Sequence, residues 1–99
     1  MIPGLTSKLS EKNISLATTV TQSADIMRVT STATTTVVAT IIPAFGGFSG
    51  VLFLQNKSGA SLTTVTTGNI ISAVTVLSNR MAVLVYSKLE GKWSVCQDT

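Results

Sequence analysis

Residues 80–95 read RMAVLVYSKLEGKWSV: an apolar run, a short polar break, and a second run holding the chain's one tryptophan. Met81, Ala82, Val83, Leu84, Val85 and Tyr86 follow one another without a polar residue. The valines, the tyrosine and the shortness of the run favour a strand over a helix. Alternate side chains of a strand point to opposite faces. Met81, Val83 and Val85 therefore share one face, and Ala82, Leu84 and Tyr86 the other. Both faces are apolar, so a covering layer is expected on each. The break contains Lys88, Glu90, Gly91 and Lys92, and Gly91 can supply the positive φ of a tight connection. Trp93 and Val95 alternate with Ser94, as in a half-buried returning strand.

Working outward, the same grammar recurs. VLFLQ at 51–55 is apolar on both parities, and NKSG at 56–59 reads as a turn with Gly59 at the left-handed position. Residues 60–67 alternate, Gly68-Asn69 is a hairpin signal, residues 70–77 read as a strand, and Ser78-Asn79 turns into the closing hairpin. TATTTVVATII at 32–42 is dense in β-branched residues, whose stiff χ1 angles suit a pleated surface. Pro43 ends that strand, because it cannot donate to a ladder. AFGGFSG at 44–50 is a glycine-rich loop whose Phe45 and Phe48 can fold back as plugs. Residues 14–21 and 25–31 give two further strands around a turn at 22–24. Residues 1–13 show no sustained period and contain Pro3 and Gly4. They read as an extended arm with Ile2, Leu5 and Leu9 as apolar anchors.

About eight short strands at close spacing predict an all-β fold, an antiparallel β-sandwich or jelly roll. The expected organisation is an arm over 1–13 and one domain over 14–99, in a chain complete as it stands.

The 99 residues are 44% hydrophobic and only 11% charged, against about 25% charged in ordinary soluble domains. So sparsely charged a surface is poorly protected on its own, which implies that partners cover part of it. The net charge of +3 comes from scattered basic residues, not the clustered Lys/Arg with aromatic platforms of a nucleic-acid site. No apolar segment reaches the ~18 residues of a membrane span.

Histidine is absent and Cys96 is the only cysteine, so proton relays through imidazole and Cys/His zinc sites have no ligands to draw on. Glu11, Asp25, Glu90 and Asp98 sit in turns or termini as solvated charges. The glycine loop lacks the lysine and Ser/Thr pair of a phosphate loop. No enzymatic activity, cofactor, metal or small-molecule substrate is expected. Cys96 reads as a small, partly buried side chain. Trp93 and Tyr86 read as core or interface before they read as a sugar platform.

Residues 33–95 resemble the small β domains of tailed-phage virions, both trimeric head-decoration proteins and tail-fibre knobs. The resemblance lies in the order of TTTVVATIIPAFGGFSG, VLFLQNKSGASLTTVTTGN and MAVLVYSKLEGKWSV, closing on a Gly-x-Trp-x-Val strand. It implies a virion structural protein, a homotrimer, made in the host cytoplasm and carried on the capsid surface. Its partners would be its own copies and the major capsid protein, with no nucleic acid and no membrane. The short arm fits a capsid decoration or cement protein. The competing expectation is a receptor- or glycan-binding tip of a fibre or baseplate. Interface candidates are Ile2, Leu5, Leu9, Phe45, Phe48, Val51, Phe53, Val83, Val85 and Trp93.

Overall fold

Why short strands rather than long ones? The runs last two to seven residues before the chain turns a corner, most often at a Ser, Thr, Asn, Gly or Pro group. The computed structural model describes residues 9–32 and 36–97, which form ten strands and no helix. They are β1 (Glu11–Leu16), β2 (Thr19–Thr21), β3 (Ile26–Thr32), β4 (Val37–Val38), β5 (Thr40–Ile42), β6 (Gly50–Asn56), β7 (Leu62–Thr64), β8 (Thr75–Val76), β9 (Met81–Ser87) and β10 (Lys92–Gln97). The all-β class expected from sequence is what the chain adopts.

Three sheets enclose one core. The largest has the order β1-β3-β6-β9-β10, and the smaller ones are β2-β5 and β4-β7-β8. Strands β1, β3 and β6 run parallel, with Glu11 beside Ile26 and Ile26 beside Phe53. Parallel pairs β2-β5 and β4-β7 join the same turns on the other sides. Parallel neighbours need a crossover connection, and here short strands of the smaller sheets supply it in place of a helix, between β1 and β3 within residues 17–25. The chain therefore winds as a short coil of strands, each turn stacked on the one before, in the manner of a solenoid.

The hairpin β9-β10 then reverses direction. Strand β9 lies antiparallel to β6, with Leu52 opposite Leu84, and β10 completes the sheet, with Trp93 opposite Tyr86. Gly91 takes φ 69° in its turn, the role expected of it. Strand β5 stops at Ile42, just before Pro43, again as expected.

The core is filled from all three sheets. Met27, Val29, Leu52, Leu54, Ala82, Leu84 and Trp93 come from the large sheet. They meet Ile41 from one small sheet and Val38, Leu62 and Val76 from the other. Each fully buried aliphatic side chain contributes about 1.5–3 kcal/mol relative to exposure.

Two asparagines, Asn69 half-buried and Asn56 buried, do the work of missing backbone. The Asn69 amide donates to the Ile41 carbonyl at 2.7 Å and accepts from the Ile41 N–H at 2.9 Å. One side chain thus pairs with β5 as a third strand would. Asn56, fully buried, donates to the carbonyls of Ala60 and Val76 at 2.8 and 2.9 Å. Its carbonyl accepts from the Ser58 N–H and hydroxyl at 3.0 and 2.7 Å.

The structure corrects several expectations. The sheets are mixed, not antiparallel throughout: four strand pairs among the described residues are parallel and three antiparallel. Residues 14–21 are two strands separated by a corner at Ala17-Thr18, whose Thr18 carbonyl accepts from Ala39 and Thr40 N–H. The described part of 32–42 is likewise broken, with Ala39 between β4 and β5. Residues 70–77 are mostly not strand, because the Thr64 hydroxyl takes the Ser72 carbonyl and the Val74 N–H. Gly59 has no positive φ; the Asn56–Ser58 hydrogen bonds shape that turn. The first strand takes in residues 11–13, assigned from sequence to the arm.

Candidate interaction surface

Strand alternation sorts the large sheet into an inner and an outer face. Leu52, Leu54, Ala82 and Leu84 point inward and are buried. The intervening residues point out. Across the outer face, Ile26 neighbours Phe53, Phe53 lies opposite Val83, and Val83 opposite Cys96. One row along, Val51 faces Val85; one row the other way, Gln55 faces Met81. Directly opposed side chains of an antiparallel pair stand about 5 Å apart, so these residues form one continuous patch.

The patch is accessible. Val51 and Met81 are each 40% exposed and Val85 45%, with Ile26, Phe53 and Val83 half-buried between them. From strand spacing and rise it measures roughly 300 Å². Its margin is polar. Arg28 Nε donates to Gln55 Oε1 at 3.2 Å on the β3 side, while Ser94 and Lys92 lie on the β10 side. Cys96 is exposed at its edge and free, where the sequence reading had it partly buried.

Four interface candidates, Val51, Phe53, Val83 and Val85, fall together on this face. Leu9 is exposed beside β1, away from it. Phe45 is exposed in the 43–49 loop, and Phe48 is half-buried there. Ile2 and Leu5 lie outside the described residues. Trp93 is corrected: it is fully buried, and its indole N–H donates to the Ile41 carbonyl at 2.9 Å. Its ring belongs to the core and presents no surface to a partner or a sugar. Residues 81–86 bury one face within the chain and leave Met81 and Val85 open on the other.

Ile26, Met81 and Cys96 complete the patch and were not singled out from sequence. Met81 shared the parity of Val83 and Val85 and could have been. Ile26 could not, because only the β3-β6 register sets it beside Phe53.

The loop at 43–49 is built on a ring cluster. Phe48 packs against Tyr86 and Trp93 at centroid distances of 6.2 and 6.1 Å, and Phe45 stands edge-on to Phe48 at 5.4 Å. Tyr86 and Trp93 are 5.0 Å apart. Phe48 does fold back as a plug; Phe45 stays outside. Gly47, at φ 81°, makes the turn between them. Among the described residues no group of three or more His, Cys, Asp or Glu is placed to hold a metal ion.

No protein-family model matches the chain, and no curated protein matches it. Among solved structures, a chain described as "Structure of a chaperone-substrate complex" superposes with a TM-score of 0.59 at 12% identity. The match covers 89% of this chain and 18% of that one, so this chain spans under a fifth of its length. The likeness is one of fold.

Proposed function

We propose that this chain is a non-enzymatic virion structural protein, a capsid decoration or cement module that binds the assembled head and other copies of itself. The observation that carries the reading is the outer-face patch around Phe53 and Val83, with Val51, Met81 and Val85 each at least 40% exposed. The viral setting comes from the resemblance at residues 33–95. In this reading the large sheet and the two small ones act as the layers of a sandwich, and the assembly is a homotrimer.

Magnitudes decide what kind of adhesion this is. A patch of roughly 300 Å² contributes about 7 kcal/mol gross at 25 cal/mol per Å². Association costs about 4–15 kcal/mol, so one such contact alone is marginal. A stable pairwise interface takes about 800 Å² from each partner. The patch is therefore the apolar centre of a wider contact, and its strength comes from repetition. Three copies engaging one capsomer seam add by multivalency, and a ligand of the assembled shell alone stabilises that state.

Sedimentation equilibrium and mass spectrometry of purified particles test this. A trimer in solution and stoichiometric presence on heads are expected. A monomer absent from particles overturns the proposal.

A further inference from the structure

A second surface is independent of the sheet patch. The 43–49 loop and the end of β9 enclose an open cleft of about 640 Å³, lined by Pro43, Phe45, Gly46, Gly47, Tyr86 and Lys88 among others. The loop is latched to the hairpin by Lys88 N–H donating to Ser49 Oγ at 3.2 Å, and anchored below by Phe48 on Trp93. The cleft is thus held from two sides.

Three groups of its lining are available to a ligand. Phe45 is 65% exposed, touching Phe48 by its edge. The Tyr86 hydroxyl has no hydrogen-bond partner among the described residues, although the ring is packed against Phe48 and Trp93. The Lys88 ammonium is likewise without an ion pair or hydrogen bond there. Glu90, in the same turn, does not line the cleft, and neither does any other acid. A Cβ at Gly46 or Gly47 would meet no atom within 4 Å, so the backbone of the turn is open to a ligand.

We infer that this cleft binds a saccharide bearing a carboxylate. A phenyl ring offers an apolar face to the C–H side of a pyranose. The phenol and the glycine peptide groups pair with sugar hydroxyls. The lone ammonium selects a negative charge by a charge-assisted hydrogen bond. A neutral sugar leaves Lys88 unmatched. An acidic peptide shares the charge but offers Phe45 no pyranose face. The inference does not rest on the decoration reading, since none of the patch residues lines the cleft.

The test is an NMR titration of the full chain with glucuronate, N-acetylneuraminate and glucose, followed at the amides of 45–47, 86 and 88. Saturable shifts there with either acidic sugar are expected, with affinity at least about tenfold weaker for glucose. Lys88→Ala removes the preference for acid over neutral sugar, and Phe45→Ala abolishes binding of both. Val85→Asp, on the outer face, leaves binding unchanged. Spectra of Lys88→Ala and Phe45→Ala without sugar establish that both are folded. No saturable shift with either acid, equal binding of glucose, or a preference for acid over neutral sugar that survives Lys88→Ala overturns the inference. So does selective binding of a glutamate-rich peptide in place of the sugars.

Discussion

Among the described glycines, the least room is at Gly68. A Cβ there would lie 2.1 Å from the Ala39 carbonyl oxygen and 2.2 Å from Thr40 Oγ1, so the backbone of one turn would have to lift off the next. Gly68→Ala is expected to cost about 3 kcal/mol or more, the range of severe overpacking, read from urea unfolding. Trp93 and Asn69 converge on the neighbouring residue, Ile41. Trp93→Phe keeps an aromatic ring but removes the indole donor. It should cost about 1–3 kcal/mol, by volume loss and a weakened network around the Ile41 carbonyl. Thermal melts of Trp93→Phe and Asn69→Ala, singly and together, report whether the two act as one network; a coupling energy above about 0.5 kcal/mol is expected. None of this was legible in the sequence. Gly68-Asn69 looks like a hairpin signal, and only the stacked turns reveal that its glycine is there for close approach and its asparagine to stand in for a strand.

At the scale of elements, the two faces of β9 make opposite predictions from neighbouring residues. Leu84 is fully buried and Val85 45% exposed. Leu84→Asp places an unpaired carboxylate in the core and should leave the chain unfolded, as circular dichroism would show. Val85→Asp should change the stability of the isolated chain by no more than about 0.5 kcal/mol, while weakening self-association in sedimentation. Strand identity was readable here because apolar runs at 51–55 and 81–86, Gly91 and Pro43 each act locally. Direction was not. Period-two alternation is common to parallel and antiparallel strands. A corner made by Ala17-Thr18 looks, in sequence, like any short break between strands. The β-branched tract misled by its uniformity: its residues suit a strand, but Ala39 is where the coil bends.

For the whole molecule, three sheets share one core, and β6 is held between strands of two kinds, β3 beside it in parallel and β9 in antiparallel. No sheet can leave without uncovering Leu52, Leu54 or Ile41. A single cooperative transition is therefore expected, with fluorescence of Trp93 and far-ultraviolet circular dichroism coinciding. Refolding should take milliseconds to seconds, because parallel neighbours are far apart in sequence and loop closure precedes any gain. A fast microsecond phase carrying the full Trp93 signal would contradict this. The site was half legible at this scale. Parity placed Val51 with Phe53 and Val83 with Val85, but joining the two pairs required the β6-β9 register.

The coil also has a direction, like a staircase with a landing. Beside β1 the rule that built the sheet, one more strand laid alongside the last, can be applied again. Beyond β10 the place is already taken at Trp93, whose N–H donates to the Asn69 carbonyl and whose carbonyl accepts from the Ile71 N–H. Among the described residues no strand lies outside β1, and there Glu11 and Lys12 stand exposed on the rim, charges of the kind that discourage a stranger's strand from pairing alongside.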